Sequence, residues 1–184
     1  MIKSIPNILT ILRIIAIPII ISTFYIDNNV AVWIAVSMFV FASITDFLDG
    51  YLARVLSAHS ALGKCFDPIA DKLLIVSIIV MLIHKQIIDN LNVLPAIAII
   101  CREILVSGMR EFLSQTNISI PVSNLGKWKT AFQMLSVLLL LLSSKNNIGI
   151  NENVVFLGLL LLWISAVLTI ITGYNYFKAG IHHF

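Results

Sequence analysis

The sequence predicts an all-α integral membrane protein with six transmembrane helices and a short N-terminal interfacial segment. Three observations carry that fold class. Of 184 residues, 59% are hydrophobic and only 11% are charged, against about 25% charged in an ordinary soluble domain. The mean hydropathy is +1.01, so much of the chain has to be solvated by lipid. At about 20 residues per span, the length accommodates roughly six spans with short loops. That excludes a soluble globular domain, a disordered chain and a coiled coil. It also leaves no room for a separate soluble catalytic domain, so residues 1–184 read as one membrane-embedded domain. Any chemistry belongs to the helices or their ends.

Each span has its own justification. The N-terminus carries Lys3 and then an apolar run, the outline of a signal peptide. Thr10 and Arg13 interrupt that run, and no small-residue cleavage pattern follows Ile26, so Asn7–Ile26 reads as a retained first span. Asn28–Thr45 and Asn153–Phe177 contain no charged residue and are long enough to cross a bilayer. Pro68–Ile83, Val93–Leu113 and Lys127–Ser144 are apolar with charges at or near one end. Helices are the only assignment, because backbone exposed to lipid has to bond internally. Turns are expected at Asp27–Asn29, His59–Ser60, Asp89–Asn90 and Ser143–Asn151, with one real loop over Ser114–Asn124. Pro68 either opens the third helix or kinks it.

With six spans both termini share one side. That side collects Lys3, Arg13, Arg54, Lys64, Lys72, Arg102, Arg110, Lys127, Lys129 and Lys178, and the other has Lys85 and Lys145. The positive-inside rule makes the ten-residue side cytoplasmic. The net charge of +3 is too small for a nucleic-acid surface. Cys65 and Cys101 have neither metal spacing nor a disulfide framework and read as packing residues. Trp33, Trp128 and Trp163 suit interfacial or packing roles, and His59, His84, His182 and His183 show no ligand spacing.

The acidic residues are distributed unevenly. Of nine, four fall within 26 residues: Asp46, Asp49, Asp67 and Asp71. Spacings of three and four put each pair on one helix face, at the end of helix 2 and the start of helix 3, where a short turn makes the two helices antiparallel neighbours. Four carboxylates share a small site only when cations neutralise them. Salt bridges to Arg54, Lys64 and Lys72 account for one or two of them. A pair of hard divalent ions, Mg²⁺ or Mn²⁺, accounts for all four, and carboxylates within membrane helices default to function. Gly50 and Ala53 share the face of Asp46 and leave space for a bulky ligand, although close helix packing uses small residues too. Arg54 offers a planar fork to a phosphate.

The string Asp46-x-x-Asp49-Gly50-x-x-Ala53-Arg54, then eight residues, then Gly63-x-x-x-Asp67-x-x-x-Asp71 resembles the signature of the CDP-alcohol phosphotransferases. Ile5–Arg13, Arg102-Glu103-Ile104 through Arg110-Glu111-Phe112, and Gly126–Thr130 are similar to the bacterial phosphatidylglycerophosphate-synthase subgroup of that family, so the likeness covers nearly the whole chain. It implies a fold of six membrane helices, usually dimeric, in the bacterial inner membrane. By that resemblance Asp46, Asp49, Asp67 and Asp71 would hold two Mg²⁺ ions (or Mn²⁺), with Asp71 also the general base. Gly50, Ala53 and Arg54, with Asp49 and Gly63, would receive the CDP part of CDP-diacylglycerol, Gly63 permitting close approach of the turn.

The remaining cations point to the acceptor. With helix 4 ending near Leu113, Arg102 lies about 16 Å along the helix axis from that end. Adjacent helical residues point apart, so Glu103 is not its expected partner. A carboxylate elsewhere or an anionic ligand is needed. Arg110, Lys127 and Lys129, with Arg102 behind them, would form a pocket for the phosphate of glycerol 3-phosphate. The two lysines also suit plain interfacial snorkelling. Rival readings are another acceptor (inositol phosphate, serine or phosphatidylglycerol), an ion transporter, and a non-catalytic membrane subunit. A transporter would spread its carboxylates through the depth of the membrane, whereas these cluster at one face.

Overall fold

The computed structural model describes residues 5–56, 61–115, 124–144 and 152–181. Side chains are described throughout these spans except at 5–8, 47–56, 61–68, 71, 111–112, 114–115, 124, 175 and 179–181. Six helices account for nearly all of it: α1 (Ile5–Thr23), α2 (Asn29–Leu56), α3 (Ala61–His84), α4 (Val93–Gln115), α5 (Asn124–Leu142) and α6 (Glu152–Ile181). A 3-10 turn, Asn90–Asn92, precedes α4. No strand occurs among the described residues.

The helix count matches the expectation, but the helices are longer than their apolar cores. α2 runs for 28 residues, carrying Asp46 through Arg54 on one unbroken helix. α3 begins at Ala61, well before Pro68. Pro68 therefore does not open the helix, and Gly63 falls within its first turn. Among the described residues, four stretches are long and apolar enough to cross a bilayer: Asn29–Asp46, Asn90–Arg110, Leu125–Leu142 and Glu152–Lys178. The apolar parts of α1 and α3 within the described residues are shorter, Leu9–Thr23 and Lys72–His84. α3 is nonetheless 24 residues long, about 36 Å at 1.5 Å per residue. Its N-terminal half carries Lys64, Asp67, Asp71 and Lys72.

The turns have readable causes. Asn28 caps α2, its side-chain oxygen accepting the Val30 N–H at 3.1 Å. Gln86 takes a left-handed conformation (φ 58°) just past α3, and the Ile87 N–H returns to the Leu82 carbonyl at 3.0 Å, closing the helix end. Hydroxyls inside the spans bond to their own helix: Ser43 to Phe39 O, Thr45 to Ala42 O and Ser165 to Leu162 O. That satisfies the hydroxyl donors where lipid cannot.

The chain falls into two compact units, residues 1–87 with 141–150, and residues 88–140 with 151–184. In the first, α1 packs along both α2 and α3, and the buried residues of these helices include Ala16, Ile20, Ala35, Phe39, Ala42, Ile78 and Ile79. In the second, α4 packs on α6, and α5 meets α6 closely at Gly158. Large apolar side chains such as Trp33, Ile104, Phe156 and Ile170 are exposed, the inverse of a soluble protein and the pattern lipid requires.

Candidate active site

Two polar centres stand out, one in each unit. The first lies on α2 and α3. The backbone puts Asp46 and Asp49 three residues apart on uninterrupted α2, and Asp67 and Asp71 four apart on uninterrupted α3. Each pair thus shares a helix face, as the spacing predicts. Gly50, Ala53 and Arg54 continue along α2. The side chains of Asp49, Ala53, Arg54, Asp67 and Asp71, and the surroundings of Gly50 and Gly63, lie outside the described residues. Among the described residues no three His, Cys, Asp or Glu side chains gather round a common point, and Asp46 is the only one of the four aspartates so described.

Asp46 brings in a residue that sequence reasoning used only as a topology marker. Arg13 of α1 is buried, with 1% of its side chain exposed, and its Nη1 lies 3.3 Å from Asp46 Oδ1, whose side chain is 39% exposed. A buried guanidinium fixes one carboxylate oxygen while the carboxylate stays accessible. The signal was present in the sequence: a single arginine within an otherwise uncharged membrane span is itself a pointer to function.

A hard-cation site fits these residues. Four carboxylates in two same-face pairs are oxygen donors of the type Mg²⁺ and Mn²⁺ take, and the one described carboxylate is accessible and oriented by Arg13.

The second centre lies on α4, α5 and α6. Glu103 Oε1 accepts from Arg102 Nη1 at 3.3 Å and from Lys129 Nζ. The Arg102–Glu103 contact corrects the expectation that neighbours in sequence stay apart. An arginine side chain is long enough to fold across the angle between adjacent helical positions, and α6 gives it a surface to lie on. Arg102 Nη2 donates to Thr172 Oγ1 at 3.0 Å. Arg110 Nη2 donates to the Tyr176 hydroxyl at 3.2 Å. Both guanidinium carbons lie over the Tyr176 ring, at 5.9 Å for Arg102 and 5.6 Å for Arg110, within cation–π range. Lys129 is buried and Lys127 exposed. Lys127 forms no ion pair or hydrogen bond among the described residues. Of the four cations expected at an acceptor phosphate, the structure thus brings together Arg102, Arg110 and Lys129.

Glu103, Thr172 and Tyr176 were missed from sequence. A signal existed for the last two. Ser165, Thr169, Thr172 and Tyr176 recur at helical spacing along α6, and all four are buried. Elsewhere Cys101 is exposed, not packed as expected. Trp163 Nε1 donates to Asn92 Oδ1 at 3.0 Å, Trp128 stacks on Phe132 and His84 lies against Tyr25. His59, His182 and His183 lie outside the described residues.

The sequence profile of the family described as CDP-alcohol phosphatidyltransferase matches residues 3–171. The chain belongs to that family. Three relatives are similar to it over most of its length. A Rickettsia felis protein named CDP-diacylglycerol–glycerol-3-phosphate 3-phosphatidyltransferase is 52% identical over 177 residues, covering 96% of this chain and 95% of the relative. A Cereibacter sphaeroides protein of the same name is 35% identical over 211 residues, covering 97% and 96%. A protein from Oryza sativa subsp. japonica named cardiolipin synthase (CMP-forming) is 39% identical over 178 residues, covering 91% of this chain and 54% of the relative.

Proposed function

We propose that this chain is a membrane enzyme that transfers a phosphatidyl group from CDP-diacylglycerol to sn-glycerol 3-phosphate, giving phosphatidylglycerophosphate and CMP. The relatives named for that reaction support the reading, since they align over nearly their whole length. The whole chain acts as one catalytic domain in it, since the family match spans both units. The chain sits in a bacterial inner membrane with its termini and active site cytoplasmic, as its Lys/Arg asymmetry favours, and works as a homodimer.

One observation carries the acceptor. Arg102, Arg110 and Lys129 gather with a single carboxylate, Glu103. Three positive charges and one negative leave two positive charges among the described residues. A phosphate monoester carries about −1.5 to −2 at neutral pH, so glycerol 3-phosphate matches the cluster. Lys127, exposed nearby in sequence, adds attraction at longer range.

Asp46, Asp49, Asp67 and Asp71 hold two divalent ions, Mg²⁺ in the first instance, with Mn²⁺ also suited. When bound, the ions neutralise charge on the transferring phosphoryl group and on departing CMP. Gly50, Ala53 and Arg54, with Asp49 and Gly63, receive the CDP moiety, Arg54 as a forked donor to phosphate. Asp71 takes the proton from the primary hydroxyl of the acceptor. That oxygen bonds to the phosphorus bearing diacylglycerol, and the bond from that phosphorus to the CMP oxygen breaks.

The rice relative favours a second reading, with phosphatidylglycerol as acceptor and cardiolipin as product. Its phosphodiester carries one charge, which suits a doubly positive cluster less well. Release of CMP from CDP-diacylglycerol by the purified protein, with glycerol 3-phosphate, phosphatidylglycerol, inositol phosphate and serine offered in turn, decides between them. Glycerol 3-phosphate is expected to give the highest kcat/KM by at least tenfold. A higher value with phosphatidylglycerol would establish the second reading instead.

A further inference from the structure

The C-terminal half of α6 contributes no ionised group to the second centre, yet it touches both arginines. Gly173 is the first point of contact. A Cβ built on it would lie 3.1 Å from Arg102 Cγ, 3.4 Å from Nε and 3.9 Å from Cδ. The arginine stem therefore lies close against the helix backbone, and a side chain at 173 would require it to shift by a few tenths of an ångström. Thr172 is the second. Its hydroxyl donates to Leu168 O at 2.8 Å, with a longer contact to Thr169 O at 3.1 Å. Because that proton is committed to the helix, the oxygen's lone pairs are left to accept from Arg102 Nη2. Tyr176, one turn on, is the third. Its ring lies under both guanidinium groups and its hydroxyl accepts from Arg110. Arg102 Nε, buried over Gly173, has no hydrogen-bond partner among the described residues. A buried charged donor left unpaired is costly, and a ligand oxygen is the partner this arrangement lacks. All three α6 residues lie beyond the stretch 3–171 matched by the family profile.

We propose that Thr172, Gly173 and Tyr176 are positioning residues that set acceptor recognition: α6 is a cradle that holds the Arg102 and Arg110 guanidinium groups at one place to receive the phosphate monoester of the acceptor. The proposal rests on the acceptor reading above. Geometry, not added charge, is the contribution of α6. Two free arginine side chains would each lose rotamer freedom on binding a phosphate, and a preformed pair loses less.

The test is steady-state kinetics of CMP release by the full-length protein in detergent–lipid micelles, with glycerol 3-phosphate and CDP-diacylglycerol varied in turn. Gly173→Ala is expected to raise KM for glycerol 3-phosphate about tenfold or more, the loss of one charge-assisted hydrogen bond. Tyr176→Phe keeps the ring face and removes the hydroxyl, with an expected rise of about threefold. Tyr176→Leu removes both and is expected to match Gly173→Ala. In all three, KM for CDP-diacylglycerol and kcat at saturation stay within twofold. Ile170→Ala, on the exposed side of α6, is the control and leaves all constants unchanged. Should Gly173→Ala fail to fold, the two tyrosine variants carry the test. An unchanged acceptor KM in the variants that fold, or equal rises in both KM values, overturns the cradle. The wild type separates this outcome from failure of the underlying reading: if it does not use glycerol 3-phosphate at all, the acceptor assignment has failed, whatever the variants do.

Discussion

Arg13 and Asp46 illustrate how one side chain can serve both folding and chemistry. The guanidinium is almost wholly buried against a carboxylate that is 39% exposed. Replacing Asp46 by Asn removes the charge that faces a buried cation, and hydrogen bonds to charged groups contribute about 1.5–3 kcal/mol. Partial exposure of the carboxylate argues for the low end. Asp46→Asn is therefore expected to destabilise the protein by about 1–2 kcal/mol, seen as a lower thermal midpoint in detergent, and to abolish CMP release. The double variant Arg13→Met/Asp46→Asn is expected to regain part of the midpoint and none of the activity. Recovery of activity would show that Asp46 acts only as a counter-ion. Asp67→Asn and Asp71→Asn carry a simpler expectation. Loss of a metal ligand or of the base should reduce kcat by about 10³-fold or more while the protein still inserts and purifies. Residual activity above a tenth of wild type would remove that residue from the catalytic set.

At the scale of the helices, close approach is the recurring device. Ser136 Oγ donates to the Gly158 carbonyl at 2.7 Å across α5 and α6. A Cβ on Gly158 would lie 2.9 Å from Leu140 Cδ2 and 3.0 Å from its Cγ. Without a hydrophobic drive between helices in lipid, such small-residue contacts and interhelical hydrogen bonds hold spans together. Leu140 is fully buried, so it has little room to yield. Gly158→Val is expected to cost about 1–3 kcal/mol through overpacking. Ser136→Ala should cost about 0.6 kcal/mol, the typical worth of such bonds in membranes. Thermal unfolding followed by size-exclusion chromatography measures both. A Gly158→Val protein as stable as wild type would show that α5 and α6 are not in close contact in the membrane.

For the whole molecule, the expected consequence of a two-ion site is strict metal dependence. Chelation with EDTA should abolish CMP release, and added Mg²⁺ should restore it, with Mn²⁺ also effective. Full activity after exhaustive chelation would contradict the carboxylate reading. Orientation is testable independently. In a background lacking Cys65 and the exposed Cys101, Lys85→Cys should react with an impermeant maleimide added to intact cells, and Lys127→Cys should react only after lysis. The reverse pattern would turn the protein over in the membrane and put the aspartates on the outer face.

Much of this molecule is determined locally and was therefore legible in the sequence. Membrane residence follows from composition, because apolar surface partitions into lipid whatever the tertiary arrangement. Six helices follow from the need to satisfy every backbone donor within its own segment, and the pairing of the four aspartates follows from the helical repeat. Long helices broke the prediction only at their ends, where charged residues continue a helix that hydropathy had already closed, as at Asp46–Arg54 on α2 and Ala61–Asp71 on α3. What the sequence did not disclose is which side chains meet across helices. Arg13 reaches Asp46 because α1 packs against α2, and Glu103 joins Arg102 to Lys129 because α5 brings its lysine to α4. Gly173 matters because the stem of Arg102 lies on α6. Each depends on the rotation and depth of one helix against another, set by the packing of many small contacts at once. No local pattern of residues encodes that, so the tertiary structure alone decides which cations gather and which, like Lys127, stay apart.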